Sequence, residues 1–309
     1  MERIHITDVA PRDGLQNQQV HVSTAAKLEL ISRLVAAGVD SIEATSFVSP
    51  KAVPQMADAG DLVPQINDRF PGLRTSVLVP NLKGLERADA AGAREIAVVL
   101  SATETMNRKN INMGLDEATE VSAQTVLAAR AKGLRTRAYV AVAFECPFEG
   151  KTPLSEVLRL AARMHETGAG EIVIADTIGA ASPQQVRTLF DALRNEVPMD
   201  RLAVHLHDTR GLGAANAWAA LEAGVRRFDA SVGGIGGCPF PPGAAGDLAT
   251  QDLVLMAQTS GFDTGISLDG LLHAVDFAQE QLQRPLGGRS SAWLRRQADK
   301  RRSAEQLAA

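Results

Sequence analysis

The sequence predicts an α/β fold, a (β/α)8 TIM barrel followed by a short C-terminal helical or disordered extension. Three observations predict it. Short apolar, β-branched runs alternate with longer amphipathic stretches along the chain. The runs number eight: 3–9, 41–46, 75–79, 95–100, 136–142, 171–175, 202–206 and 227–231. Finally, Gly38, Gly92, Gly133, Gly168 and Gly224 each stand just before one of these runs. A glycine there caps the preceding helix and turns the chain into the next strand. Eight such units in about 270 residues fit a closed barrel better than an open doubly wound sheet.

Each element follows from its own pattern. The stretches 24–37 and 154–167 carry apolar residues at helical spacing, one face of an outer helix apiece. The runs 136–142 and 171–175 are short, apolar and β-branched, and read as strands. Residues 1–287 are therefore expected to form the barrel and 288–309 a basic tail bearing Arg289, Arg295, Arg296, Lys300, Arg301 and Arg302. That tail is read as a solvated helix or disorder, or else as a contact with an anionic ligand or a neighbouring subunit.

Composition narrows the function. With 309 residues, 45% of them hydrophobic, one large core is affordable and a second domain is not required. The net charge of −4 gives no basic footprint for nucleic acid. No apolar run reaches the length of a membrane span. Strand-like sequence begins by Arg3, so no targeting segment is expected ahead of it. Two cysteines, Cys146 and Cys238, make no disulfide framework and suit a reducing, cytoplasmic compartment.

In a barrel of this kind the active site sits at the C-terminal ends of the strands. Chemically capable residues cluster there. The first strand runs into Arg12, Asp13 and Gly14, the second carries Glu43, and the fifth carries Arg137 and Tyr139. The sixth ends in Asp176 and Thr177, the seventh in His205, Leu206, His207 and Asp208. The eighth leads through Gly233, Gly234, Gly236 and Gly237 to Cys238.

His205 and His207 alternate on one strand, so both imidazoles face one point. With Asp13 they make a two-histidine, one-carboxylate set. Nitrogen and oxygen donors without thiolate suit Mg²⁺ or Mn²⁺ better than structural zinc. The bland alternative is a polar strand end meeting solvent. Arg12 supplies a fixed positive charge for an anionic oxygen, or a surface ion pair. Glu43 and Asp176 are acids inside apolar strands, so each must be paired, ligated or titrating near neutrality. Glu43 reads as an ion-pair partner of Arg12 or a catalytic group, Asp176 as a general base or a support for one. The glycine-rich loop delivers Cys238 as a catalytic thiol, cradles a phosphate, or simply connects. Cys146 reads as space-filling.

These elements in this order resemble the 3-hydroxy-3-methylglutaryl-CoA lyases, a branch of the metal-dependent lyase and condensing-enzyme barrels. The resemblance rests on Arg12-Asp13-Gly14-Leu15-Gln16-Asn17, Ser46-Phe47-Val48-Ser49-Pro50-Lys51, Lys109-Asn110-Ile111-Asn112, His205-Leu206-His207-Asp208 and Gly236-Gly237-Cys238-Pro239. It also takes in Gly246-Asp247-Leu248-Ala249-Thr250 and spans about residues 3 to 285. It implies a divalent metal, Mg²⁺ or Mn²⁺, held by Asp13, His205, His207 and Asp247. It implies Arg12 on the enolate oxygen, Cys238 as the acid that protonates the enolate carbon, and Asp176, Glu43 and His205 as further catalytic groups. Gln16, Asn110, Arg137 and Thr177 join Arg12 on the substrate side. The implied reaction is retro-Claisen cleavage of an acyl-CoA substrate by a homo-oligomer, dimer or tetramer.

The chain departs from that pattern at two places: Asp247 stands where the lyases present asparagine, and Gln251 where they present glutamate. Four residues apart at a helix start, the two are expected to share a face. The swap opens a related 3-hydroxy-3-alkylglutaryl-CoA or citramalyl-CoA as rival substrate. A Claisen-condensing acyltransferase is a more distant rival, since the cysteine loop belongs to the lyase branch. A catalytically dead scaffold is the third, and the intact Arg12, Asp13, His205, His207 and Cys238 speak against it.

Overall fold

Ten strands form among the residues that the computed structural model describes, 1–237 and 246–308. They are β1 (His5–Asp8), β2 (Ser41–Ser46), β3 (Arg74–Leu78), β4 (Glu95–Ser101), β5 (Arg135–Ala141), β6 (Glu145–Cys146), β7 (Gly150–Lys151), β8 (Glu171–Asp176), β9 (Leu202–Leu206) and β10 (Arg227–Ala230). Eight of them close in the order β1-β10-β9-β8-β5-β4-β3-β2, every pair parallel. β6 and β7 form a separate antiparallel hairpin above β5. The chain is thus the closed α/β barrel that its alternating pattern predicts.

The helices are α1 (Thr24–Ala36), α2 (Ala59–Arg69), α3 (Leu82–Ala90), α4 (Glu104–Ile111), α5 (Leu115–Ala131), α6 (Leu154–Thr167), α7 (Pro183–Leu193), α8 (Gly213–Glu222), α9 (Thr250–Thr259), α10 (Leu268–Leu282) and α11 (Ser291–Ala308). The glycines expected as caps at 38, 92, 133, 168 and 224 all take left-handed φ, from 78° to 102°. Gly38 shows why no other residue serves: a side chain there would run into the backbone carbonyl of Gly265. No described helix is long and apolar enough to cross a membrane.

The core lies between barrel and helices, where Ile31, Leu34, Val126, Leu160, Phe190 and Leu271 are fully enclosed. Inside the barrel the filling is unusually polar. Glu43, Arg137, Tyr139, Glu171 and Asp229 are all buried there, and such groups persist only when paired. The residues from 291 onward form helix α11 rather than disorder. Leu294 and Ala298 are buried, and Arg295 and Arg301 pair with Asp276 and Asp269 of α10.

Candidate active site

The first βα turn is tighter than the glycine in Arg12-Asp13-Gly14 alone suggests. Residues Ala10–Gly14 form a π-helical turn in which the N–H groups of Arg12, Asp13 and Gly14 all donate to the Val9 carbonyl. Such turns widen the backbone locally and recur at functional sites. This one aims Arg12 back across the barrel mouth. Its Nε donates to Glu43 Oε2 at 2.7 Å and its Nη1 to Asp13 Oδ1 at 2.7 Å. Glu43 is fully enclosed. Burial pushes its carboxyl above the ordinary range, and the guanidinium of Arg12 resists that rise. Glu43 is therefore the partner that holds Arg12 in place, while Arg12 keeps N–H groups to spare.

Four potential ligands converge beside Arg12. One donor atom from each of Asp13, His205, His207 and Asp247 lies within 4.8 Å of the others. His207 Nε2 is 3.1 Å from Asp247 Oδ1, and His205 Nε2 is 3.6 Å from Asp13 Oδ2 and 3.7 Å from Asp247 Oδ1. Strand β9 supplies His205, and its last residue leads directly into His207. Asp247 is placed by backbone pairing on both sides: it bridges to His207, while Ala249 bridges to Ser231 beyond β10.

The charges of this cluster do not balance among themselves. Burial would raise Asp13, yet the guanidinium of Arg12 and the two imidazoles hold it below the ordinary carboxylate range. Burial and the neighbouring charge of Asp13 push Asp247 well above that range. Two carboxylates sharing one site split in this way when no cation lies between them. Both oxygens of Asp247 are buried without a hydrogen bond, with only the two imidazole edges facing Oδ1. Orphaned acceptors beside imidazoles, with no thiolate, are the donor set of an oxygen-preferring divalent ion, and the residues fit it.

Beneath His205 lies a support that the sequence reading did not single out. Asp229 of β10 accepts from Arg137 Nη2 and from the Tyr139 hydroxyl, each at 2.6 Å. His205 Nδ1 stands 3.4 Å from Oδ2, the oxygen that also accepts from Tyr139. Burial alone would lower the imidazole, but Asp229 and the facing carboxylates push it up to about 9. A carboxylate behind a ligating histidine fixes which nitrogen faces the metal. The signal was present: Asp229 is an acid inside the apolar run Phe228-Asp229-Ala230, the mark that drew notice to Glu43 and Asp176.

The remaining expectations divide. Gln16 Oε1 is buried without a donor. Thr177 Oγ1 accepts from the Val142 N–H at 2.7 Å, which leaves its own proton free to donate elsewhere. Val142 itself is held at φ 51°, a costly conformation for a β-branched residue. Asp176 accepts from the N–H groups of Ala180 and Ala181 at 2.8 and 3.0 Å. Burial still pushes its carboxyl up to about 6.

Arg137, expected on the substrate side, stands apart from the four ligands. It stands near the start of β5, pairs with Glu171 at 2.6 Å, and lines a cavity of about 210 Å³ at the opposite mouth with His5, Arg74 and Arg227. Its guanidinium serves Asp229 from below rather than facing substrate. Asn110 is exposed on α4, with no described side-chain partner that ties it to the ligands. Gln251 and Asp247 do not share a helix face, because α9 begins only at Thr250. Cys238 lies outside the described residues. Cys146 is buried and accepts from the Thr103 hydroxyl.

Comparisons with known proteins identify the family and the fold. Residues 3–277 match the HMGL-like family. The chain is 46% identical over 283 residues to the mitochondrial hydroxymethylglutaryl-CoA lyase of Rattus norvegicus, covering 92% of this chain and 87% of that one. The crystal structure of the Bacillus subtilis HMG-CoA lyase superposes with a TM-score of 0.92 at 41% identity, covering 96% of this chain and 99% of the other. An Acinetobacter baumannii HMG-CoA lyase in complex with coenzyme A and 3-methylmalate gives 0.89 at 39% identity, with 94% of each chain covered.

The support beneath His205 has a measurable consequence. Replacing Asp229 with asparagine keeps the shape but removes the charge, and it is expected to weaken Mn²⁺ binding by about 10- to 100-fold. Equilibrium titration of the folded variant checks this. An affinity equal to wild type would mean that Asp229 only fills the barrel.

Proposed function

Because this chain belongs to the HMGL-like family, we propose that it is a divalent-metal-dependent carbon–carbon lyase cleaving 3-hydroxy-3-methylglutaryl-CoA to acetyl-CoA and acetoacetate. The observation that carries this reading is the convergence of Asp13, His205, His207 and Asp247 beside the guanidinium of Arg12. Retro-Claisen cleavage needs a cation where an alcohol must lose its proton. It needs a fixed positive charge where an enolate oxygen develops. The site offers both at adjacent positions.

A divalent cation held by the four ligands would polarise the substrate's hydroxyl and lower its pKa. The protein's own groups carry the remaining steps. Asp176, poised near 6, is the base that takes the hydroxyl proton. As the carbon–carbon bond breaks, its electron pair passes into the thioester as an enolate. The spare N–H groups of Arg12 face that developing charge, and Glu43 keeps the guanidinium from turning away. Gln16 and Thr177 are assigned to the substrate: the unused amide oxygen of one and the hydroxyl proton of the other suit its polar groups. Cys238 is retained as the acid that protonates the enolate carbon, on its position after Gly237 alone.

The same reading takes the protein as a homo-oligomer, dimer or tetramer. It takes the compartment as the cytoplasm, supported by the unpaired thiol of Cys146.

The direct test is product formation from 3-hydroxy-3-methylglutaryl-CoA with Mg²⁺, with Mn²⁺ and with chelator. Equal amounts of acetoacetate and acetyl-CoA are expected with metal, and no turnover after chelation. Absence of cleavage by metal-loaded protein would refute the substrate. The role of Asp176 predicts a pH profile as well. A base must be ionised to act, so kcat/KM should rise with pH through about 6. Asp176→Asn should remove that limb and lower kcat by about 100-fold or more. A limb unchanged in the variant would take Asp176 out of the proton transfer.

A further inference from the structure

The segment joining α10 to α11 grips the turn that leads from β10 past the metal ligands. Gly233 is held on both sides of its backbone. Its N–H donates to Gln251 Oε1 at 3.1 Å, and its carbonyl accepts from the Gly287 N–H at 3.0 Å. The other end of the Gln251 amide donates to Ser291 Oγ at 3.0 Å, at the first residue of α11. Gln251 is fully enclosed and Ser291 nearly so. The next residue, Asp252, accepts from the backbone N–H groups of Arg289 and Ser290 at 2.6 and 2.8 Å, pinning the same segment a second time.

This grip bears on the ligands within a few residues. From Gly233 the chain passes to Ile235, whose carbonyl accepts from the Ser231 hydroxyl at 2.5 Å and packs against Gly14 of the Arg12-Asp13 turn. It then reaches Gly236, where an added Cβ would fall 2.8 Å from the carboxylate of Asp247. Neither neighbour leaves slack. Close packing transmits a displacement of Gly233 to both Asp13 and Asp247.

The side chain of Gln251 suits this task because its two ends differ. The Gly233 N–H requires an acceptor, whereas the amide nitrogen presents a donor to Ser291. A carboxylate would bury a charge in the same enclosure. We propose that Gln251 is a positioning residue: through Gly233 and Ser291 it makes the C-terminal helix part of the frame that fixes Asp13 and Asp247 relative to the histidines. The catalytic consequence rests on the lyase reading above; the effect on metal binding does not.

The test uses the full-length protein and Mn²⁺ itself as probe. Gln251→Leu removes both hydrogen bonds at similar volume, and Ser291→Ala removes the link to α11 alone. Each is expected to weaken Mn²⁺ binding by about fivefold or more and to broaden the Mn²⁺ paramagnetic resonance spectrum. Without metal, amide exchange of the peptide covering residues 231–237 should accelerate. With substrate, kcat should fall while KM stays within about twofold. If Gln251→Leu fails to fold, Ser291→Ala carries the test. Folded variants that keep wild-type Mn²⁺ affinity, spectrum and exchange would overturn the proposal. Wild-type protein that binds Mn²⁺ but cleaves nothing would refute the lyase reading and leave this one standing on the metal and exchange measurements.

Discussion

Two carboxylates, Asp13 and the buried Asp247, face each other across two imidazoles, and neither oxygen of Asp247 is hydrogen-bonded. That is the constraint on which the site depends. The two carboxyls are displaced in opposite directions, Asp13 held down by Arg12 and the imidazoles against its burial, Asp247 pushed up by burial and by the charge of Asp13. Protein folds do not keep such a conflict for stability, since replacing buried charges with apolar groups is often neutral or favourable. The arrangement makes sense as the receiving end of a divalent ion.

The rest of the barrel interior keeps that cluster in register. Arg12 lies between Glu43 and Asp13, so one guanidinium is held by the first and steadies the second. Below His205 a buried column runs through Asp229, Tyr139, Arg137 and Glu171 to Arg74 at the opposite mouth. Each charge in the column is answered by the next, which is why a barrel can carry so polar a filling. The strands set the spacing. Asp229 is level with His205 across β10 and β9, and Ala175 is level with it across β8. The small Ala175 leaves the imidazole room.

Much of this was legible in the sequence because it follows from periodicity. The alternation of strand and helix gave the barrel, and the spacing of His205 and His207 put both rings on one face. The convergence of Asp13 and Asp247 was reached only through resemblance, since nothing in spacing brings residue 13 to residue 247. The depth of Arg137 in the barrel is not legible from its strand alone. A strand crosses the whole barrel, so a residue two positions from its start faces the opposite mouth from the loops. Asp229 is an acid in an apolar run like Glu43 and Asp176, but no motif or spacing ties it to the histidines. The bracing of the Gly233 turn by Gln251 and Ser291 was out of reach, as it joins α9 to a segment forty residues on.

The central claim is that the fold receives one divalent cation between Asp13, His205, His207 and Asp247. The most direct measurement is the unfolding midpoint as a function of Mn²⁺ concentration, for wild type and for Asp13→Ala. A ligand bound only by the folded state stabilises it by about 2.7 kcal/mol at a hundredfold excess over Kd. A saturable rise is expected for wild type, with one ion per chain at saturation, and little or no response in the variant. A midpoint indifferent to Mn²⁺, or one that rises equally in Asp13→Ala, would contradict it.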